Sequence, residues 1–278
     1  MLSEEEELEI EAAIPEVKQA IVDHFNAGGS DEFDELDYTE AITDDWFARR
    51  FLLQEAGDRN IAARKLIEAL KWRKQQQIRH RKDADFPSEF YEIGALFTYR
   101  EDRSNRPSLF LRIKFIRKIP ELKPVFKQFL VHKLYKIDTQ SQCNGFALVI
   151  DFKDASIKNC DIELVSFLIS TLKNYFPYGV RCILVNELPW ILSAFWKLVE
   201  SLIPQNAKDI IKCTTYETLE EYFERYNLPD FAGGYCCENY REVPENCISG
   251  ESYGTEILGA SVKDVRKMLH KYKSLISA

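Results

Sequence analysis

The residues able to do covalent or metal chemistry are few and scattered. The seven cysteines (Cys143, Cys160, Cys182, Cys213, Cys236, Cys237 and Cys247) are odd in number, and no two share a C-x-x-C spacing. A zinc site needs clustered Cys or His ligands, and four dispersed histidines do not complete one. Reduced thiols, some of them filling a core, are the better reading. The vicinal pair Cys236-Cys237 is capable of redox chemistry, but no cationic setting for a thiolate is legible around it. Asp151 closes an apolar run, a position where α/β enzymes often keep a catalytic carboxylate. Its sequence neighbours are Lys153 and Asp154 and no histidine is close, so a turn or helix-cap role is expected. His132 falls on an amphipathic helix and reads as a surface or partly buried residue. There is no G-x-S-x-G elbow, P-loop or G-x-G-x-x-G after a strand. The expectation is a protein that is not an enzyme, with no metal and no cofactor.

A different chemistry is offered between Trp190 and Leu202. Ile191, Phe195, Leu198 and Leu202 recur at helical spacing, with Trp190 and Trp196 off that stripe. Such a stripe is most simply a core face. Two tryptophans beside it add a membrane-interface reading, because indole favours that boundary.

Charge is segregated along the chain beneath a net value of −8. Residues 1–45 carry sixteen acids against one base, Lys18, whereas residues 59–82 carry nine bases against one acid, Glu68. The favoured expectation is two solvated helical faces that attract each other. The sharper one is a basic face, including Arg73 and Lys74, meeting anionic headgroups. Nucleic acid fits poorly, since the overall charge opposes it. No apolar run reaches about 18 residues, so no spanning helix is expected. The glutamate-rich start is unlike a secretory signal. A cytoplasmic protein with peripheral membrane contact is the resulting expectation.

The elements that must position these residues follow from periodicity. Glu4 to Phe25 reads as a helix with Leu8, Ala12, Val17, Ile21 and Val22 inward, stopped at Gly28-Gly29. Residues 31–38 read as an acidic connection. A short helix starts at Asp44-Asp45, and a longer one, capped by Asn60, runs to about Lys82. Strands are expected at 109–113, 146–150 and 182–186, with a fourth ending near Thr214. Helices are expected at 120–135, 161–175, 189–202 and 216–226, and Ser261 caps a last basic helix. Strands alternating with helices imply a mostly parallel sheet with helical cover, an α/β fold. The expected division is a helical region 1–95, a ligand-binding domain 96–240 and a polar tail 241–278.

Several motifs, in order, carry a resemblance. Arg49-Arg50-Phe51-Leu52, Ala62-Ala63-Arg64-Lys65-Leu66 and Lys71-Trp72-Arg73-Lys74 are followed by Arg106-Pro107 before a strand. Then come Val149-Ile150-Asp151, Tyr175-Phe176-Pro177, Ile183-Leu184-Val185-Asn186, Pro189-Trp190, Leu228-Pro229 and Gly233-Gly234. Together they resemble the CRAL-TRIO family, also called the yeast phosphatidylinositol-transfer-protein-like family. Within it the chain is similar to the CRAL-TRIO part of motile-sperm-domain-containing proteins, which work at endoplasmic reticulum contacts. No second immunoglobulin-like domain or membrane anchor follows in the sequence, which suits either a fragment or a stand-alone relative.

The resemblance implies a helical amino-terminal region followed by a lipid-binding domain with a sheet floor, helical walls and a mobile gate helix. An acyl chain of sixteen carbons gains roughly 12 kcal/mol on leaving water, so a carrier must enclose it. The resemblance places pocket candidates at Leu111, Ile113, Leu148, Ile150, Phe167, Leu168, Leu184 and Asn186; which strand face looks inward is left open. It places the gate at Trp190, Ile191, Ala194, Phe195, Leu198 and Leu202, with Trp196, Arg73 and Lys74 as membrane contacts. Phosphoinositide-binding members carry Glu-Arg after Tyr-x-Pro and a lysine beyond the gate. Here Tyr178-Gly179 and Asp209 stand there, with Lys208 and Lys212 only nearby, so a neutral or weakly specified lipid fits as well. The implied function is intracellular lipid transfer or sensing, with lipid and membrane surface as partners. The alternative is a protein-interaction or tethering module on the same fold, its partner met through the acidic amino terminus.

Overall fold

The computed structural model describes residues 3–276, which form two compact units. The first comprises residues up to His80 together with Ser170–Gly179; the second comprises Arg81–Ile169 and the chain from Val180 onward. The first unit thus ends before the boundary at 95 read from sequence and takes in a later segment.

In the first unit, helix α1 (Glu4–His24) is capped by Ser3, whose hydroxyl accepts from the Glu6 amide while the Glu6 carboxylate accepts from the Ser3 amide. Its buried stripe is Ile10, Ala13, Ile14, Val17 and Ile21. Leu8, expected inward, is 71% exposed, because the stripe lies one step around the helix from the expected phase. The chain turns at Gly28, whose φ of +103° suits glycine. The expected acidic connection is instead largely helix α2 (Glu35–Thr43), capped by Asp34. Asp44 caps α3 (Asp45–Gln54), and Asp58, not Asn60, caps α4 (Arg59–Gln75). Helix α4 stops well short of Lys82.

The segregated charges meet within this unit. Arg49 pairs with Glu7 and Glu11, Arg59 with Glu16, Lys18 with Asp45, and Lys71 with Glu32 at 3.0 Å. The favoured reading of mutually attracting faces is therefore what the structure shows. Three of the family-like motifs also converge: Trp72 stacks on Tyr175 at 3.8 Å, and Arg50 Nε donates to the Pro177 carbonyl at 2.6 Å.

The second unit is built on a five-stranded sheet in the order β1 (Leu96–Glu101), β2 (Pro107–Arg112), β3 (Phe146–Asp151), β4 (Val180–Asn186) and β5 (Ile211–Thr214). Strand β1 was not anticipated; it pairs antiparallel with β2, while β2 to β5 are mutually parallel. Asp102 closes the β1–β2 hairpin by accepting from the Ser104 and Arg106 amides. Helix α5 (Ser88–Glu92) precedes the sheet; α6 (Lys123–Ser141), α7 (Ile162–Tyr175, of which the residues up to Ile169 belong to this unit) and α8 (Ser193–Leu202) fall between its strands, and α9 (Val262–Ile276) follows.

Each new strand is added on the same side of the last, so right-handed crossovers bring successive helices to one face. The other face needs separate cover, which residues 216–240 supply. Leu219, Phe223, Leu228 and Ala232 pack there on Phe110, Ala147, Val149 and Leu184. The helix expected at 216–226 is replaced by short turns, Thr218–Glu221 and Arg225–Asn227, which let alternate residues dip onto the sheet. Gly234 makes that cover fit: a Cβ there would stand 2.0 Å from the Leu228 carbonyl oxygen.

Candidate functional site

The two faces of the sheet are sealed unequally. Under residues 216–240, Phe110, Ala147, Val149 and Leu184 are each 0% exposed. On the helical face, the register aligns Leu148 with Ile183 and Ile211, and Ile150 with Val185. Ile150, Ile183 and Ile211 remain only partly buried, although parallel strands covered on both faces ordinarily bury such residues. The same holds for Val165 and Ile169 of α7, which pack in the same cluster. This face, packed by helices α7 and α8, thus keeps several partly exposed apolar residues beside buried ones such as Leu148 and Val185.

Helix α8 carries two apolar stripes. Leu192, Trp196 and Val199 face the sheet side with Val185 and Phe152. Trp196 is 7% exposed, its Nε1 donates to Glu200 Oε1 at 2.6 Å, and it meets Phe152 edge-on at 6.4 Å. The stripe Ile191, Leu198 and Leu202 points outward at 63%, 49% and 40% exposure, with Trp190 at 85%. Ala194 is exposed and Phe195 half-buried between the stripes.

Two small cavities lie among neighbouring elements of the unit. One, of about 30 Å³, is lined by Phe90, Ile93, Phe115, Ile119, Leu122, Phe126 and Leu164, with Arg117, Lys123 and Asp161 also on its wall. The other, of about 10 Å³, lies among Pro87, Phe90, Leu122, Gly250, Val265 and Leu269. Ligand pockets run to about 300–1,000 Å³, so either of these would have to enlarge greatly to hold an acyl chain.

Of the pocket candidates, Leu111, Leu148 and Ile150 share the helical face, and Ile113, just beyond β2, packs against the same apolar cluster as Ile150. Leu168 is buried, while Phe167 is half-buried with Lys127 Nζ 5.0 Å from its ring. Leu184 and Asn186 lie on the opposite, sealed face, since side chains alternate along a strand. The three membrane-contact candidates differ in exposure. Trp196 is buried in the cluster with Phe152 and Val185. Arg73 is 5% exposed, with Nη2 2.8 Å from Asp37 Oδ1. Lys74 is exposed and donates to the Asp31 carbonyl at 2.6 Å. His132 is 3% exposed rather than superficial, with Nε2 2.9 Å from Asp83 Oδ1.

A polar layer missed from the sequence closes the carboxyl ends of the strands. Asp151 accepts from Asn186 Nδ2 at 3.2 Å, the Tyr216 hydroxyl at 3.3 Å and the Lys153 amide at 3.2 Å. Burial raises its pKa above the usual carboxylate range. Asp151 thus ties strands and turn together, the structural role expected of it. The available signal was Arg112, a charged residue at an inward step of an otherwise apolar strand.

The second unit is thus an α/β unit with a mostly parallel sheet and a covering helix apolar on two sides. The CRAL/TRIO domain model matches residues 91–234, just over half of the sequence, and the chain belongs to that family. A CRAL-TRIO domain-containing protein of Schizosaccharomyces pombe is 25% identical over 170 residues, 60% of this chain and 38% of its own length. The phosphatidylinositol transfer protein CSR1 of Eremothecium gossypii is 22% identical over 146 residues, covering 51% of this chain and 34% of its own. The chain therefore matches little more than a third of either relative. The crystal structure of Sfh5 superposes with a TM-score of 0.64 over 93% of this chain and 98% of its own, at 14% identity, which is a likeness of fold. No helix among the described residues is long and apolar enough to cross a membrane.

Proposed function

We propose that this chain takes up a hydrophobic lipid in the cleft between the helical face of the sheet and helix α8, and exchanges it at membranes through movement of α8. It acts as a carrier or sensor rather than an enzyme, approaching the membrane from the aqueous side. The observation that carries this reading is the unequal sealing of one sheet. The face under residues 216–240 is closed, while Ile150 and Ile183 on the other face remain partly accessible beneath a helix that is itself apolar on both sides. An outward stripe of Ile191, Leu198 and Leu202 beside Trp190 suits insertion at an interface, where Trp is favoured. The inward stripe would then exchange sheet contacts for acyl chain. The transfer activity of the relative from Eremothecium gossypii is in keeping with this mechanism.

Native mass spectrometry of the purified chain, with organic extraction of any bound lipid, tests the reading directly. A lipid is expected to co-purify or to load from phosphatidylcholine vesicles, and Ile183→Trp is expected to reduce loading at least tenfold. Folded protein that carries and acquires no lipid would overturn it. The exposed stripe Ile191, Leu198 and Leu202 beside Trp190 favours a second reading, in which it docks a protein partner. Partner binding that survives Ile183→Trp but is lost in Trp190→Ala would support that alternative.

A further inference from the structure

Arg112 and Arg241 are an unusual pair. Both guanidinium groups lie over the same two rings: Arg112 is 4.6 Å from the centroid of Phe115 and 5.6 Å from that of Tyr240, and Arg241 is 5.9 Å and 5.8 Å from them. Phe231 adds a third ring 3.7 Å from the Arg112 guanidinium. Arg112 is 3% exposed, and Arg241 is half-buried. The Nε of each is buried and lacks a hydrogen-bond partner.

The anionic side of this cluster is thin. Arg112 has Asp151 Oδ2 at 3.9 Å from Nε and the Tyr240 hydroxyl at 3.3 Å from Nη1. The Asp151 carboxylate is already engaged by Asn186, Tyr216 and the Lys153 amide. Two neighbouring cations in a shared aromatic setting thus face one occupied carboxylate. Burial pushes the Arg112 guanidinium below its ordinary pKa, a sign that its charge is under-compensated. A buried charge left unpaired is costly, and a guanidinium fork matches an oxyanion well. The location fits too. Arg112 and Asp151 are the last residues of β2 and β3, at the carboxyl edge where open α/β sheets receive ligands.

We propose that Arg112 and Arg241 form a binding site for an oxyanion of the phosphate type, held between their two Nε groups, neither of which has a hydrogen-bond partner, and floored by Phe115 and Tyr240. The half-buried Arg241 is its mouth and Arg112 its inner wall. This site is on the sealed side of the sheet and does not depend on the lipid reading of the cleft.

Isothermal titration of the full chain with inorganic phosphate, against chloride at matched ionic strength, is the test. Saturable binding is expected in the wild type and at least a tenfold weaker affinity in Arg241→Gln, with Arg225→Gln, an exposed arginine paired with Glu220, unchanged. Arg241→Lys keeps the charge but loses the planar fork, and is expected to fall between them. The same titration with glycerol 3-phosphate separates the sources. A tenfold tighter affinity than phosphate assigns a lipid headgroup, and equal affinity assigns the free ion. No saturable heat in the wild type, or an identical response in folded Arg241→Gln, would overturn the proposal and leave the pair as a packing feature. Lipid loading through the cleft should be unaffected by Arg241→Gln, so the two proposals fail separately.

Discussion

Lys133 is a buried ammonium on α6, sitting 4.6 Å from the Tyr91 ring centroid and 5.3 Å from that of Phe129. Burial is the main influence on it and pushes its pKa down to about 8, against a partial counter-pull from Asp83, 3.7 Å away. Asp83 also receives His132 and Lys136, and its carboxyl is held well below the usual range, chiefly by His132. For Lys133 the sign is that of a depressed base. Below pH 8 both folded and unfolded chains hold the proton, and the buried charge costs stability. Between pH 8 and the ordinary lysine value the native state has released a proton that the unfolded chain keeps, so stability rises with pH. Tyr91, raised mainly by burial, opposes this from about pH 10 upward, where the unfolded phenol ionises first. Denaturant midpoints are therefore expected to climb between pH 7.5 and about 9.5. Lys133→Met should flatten that climb and raise the midpoint at neutral pH. A wild-type midpoint that falls across the window would show that Lys133 is charged and well compensated throughout.

At the scale of elements, α8 shows how far a sequence pattern reaches. Ile191, Phe195, Leu198 and Leu202 recur at helical spacing, but so do Leu192, Trp196 and Val199, and spacing alone does not choose between them. The structure buries the second set against Val185 and Phe152 and leaves most of the first outside. Trp196→Ala should therefore cost about 3–5 kcal/mol, as for other buried aromatic truncations. The double substitution Ile191→Ser and Leu198→Ser should change stability by no more than about 0.5 kcal/mol while lowering vesicle binding at least fivefold. Chemical denaturation and vesicle co-sedimentation give the two readouts, and a large stability loss from the outer pair would show that it is the core stripe after all. The parallel strands and crossover helices were legible for a related reason: continuous apolar runs such as Phe146–Asp151 have few alternatives. Strand β1 was not, since Leu96–Glu101 buries only its first two residues and shows no clear alternation. The cover at 216–240 misled for the opposite reason. Its aromatic and charged residues suit a helix, but Leu219, Phe223 and Leu228 reach the sheet from successive short turns. Leu111, Leu148 and Ile150 share one face of the sheet and Leu184 lies on the other, and alternation alone does not say which face the crossover helices cover.

For the molecule as a whole, the distribution of charge decides how a membrane would be met. A net charge of −8 repels an anionic surface at long range. The basic run that could offset this is largely engaged inside the first unit. Arg59, Lys65, Lys71, Arg73 and Arg79 each pair with an acid, and Arg266 of α9 pairs with Glu251. Lys74 donates to a backbone carbonyl instead. Cations already matched within the chain have little attraction left for headgroups. The outward stripe of α8, by contrast, offers exposed apolar area at Ile191, Leu198 and Leu202 beside Trp190. Vesicle binding is therefore expected to be apolar in character, nearly equal for phosphatidylcholine vesicles with and without phosphatidylserine. It should fall less than twofold when salt is raised until the Debye length shrinks to about 3 Å. Substituting Trp190→Ala should reduce binding at every salt concentration, because interfacial indole burial does not depend on screening. A steep loss of binding with salt, with Trp190→Ala neutral, would instead assign docking to the basic helices and require the ion pairs of the first unit to open at the membrane.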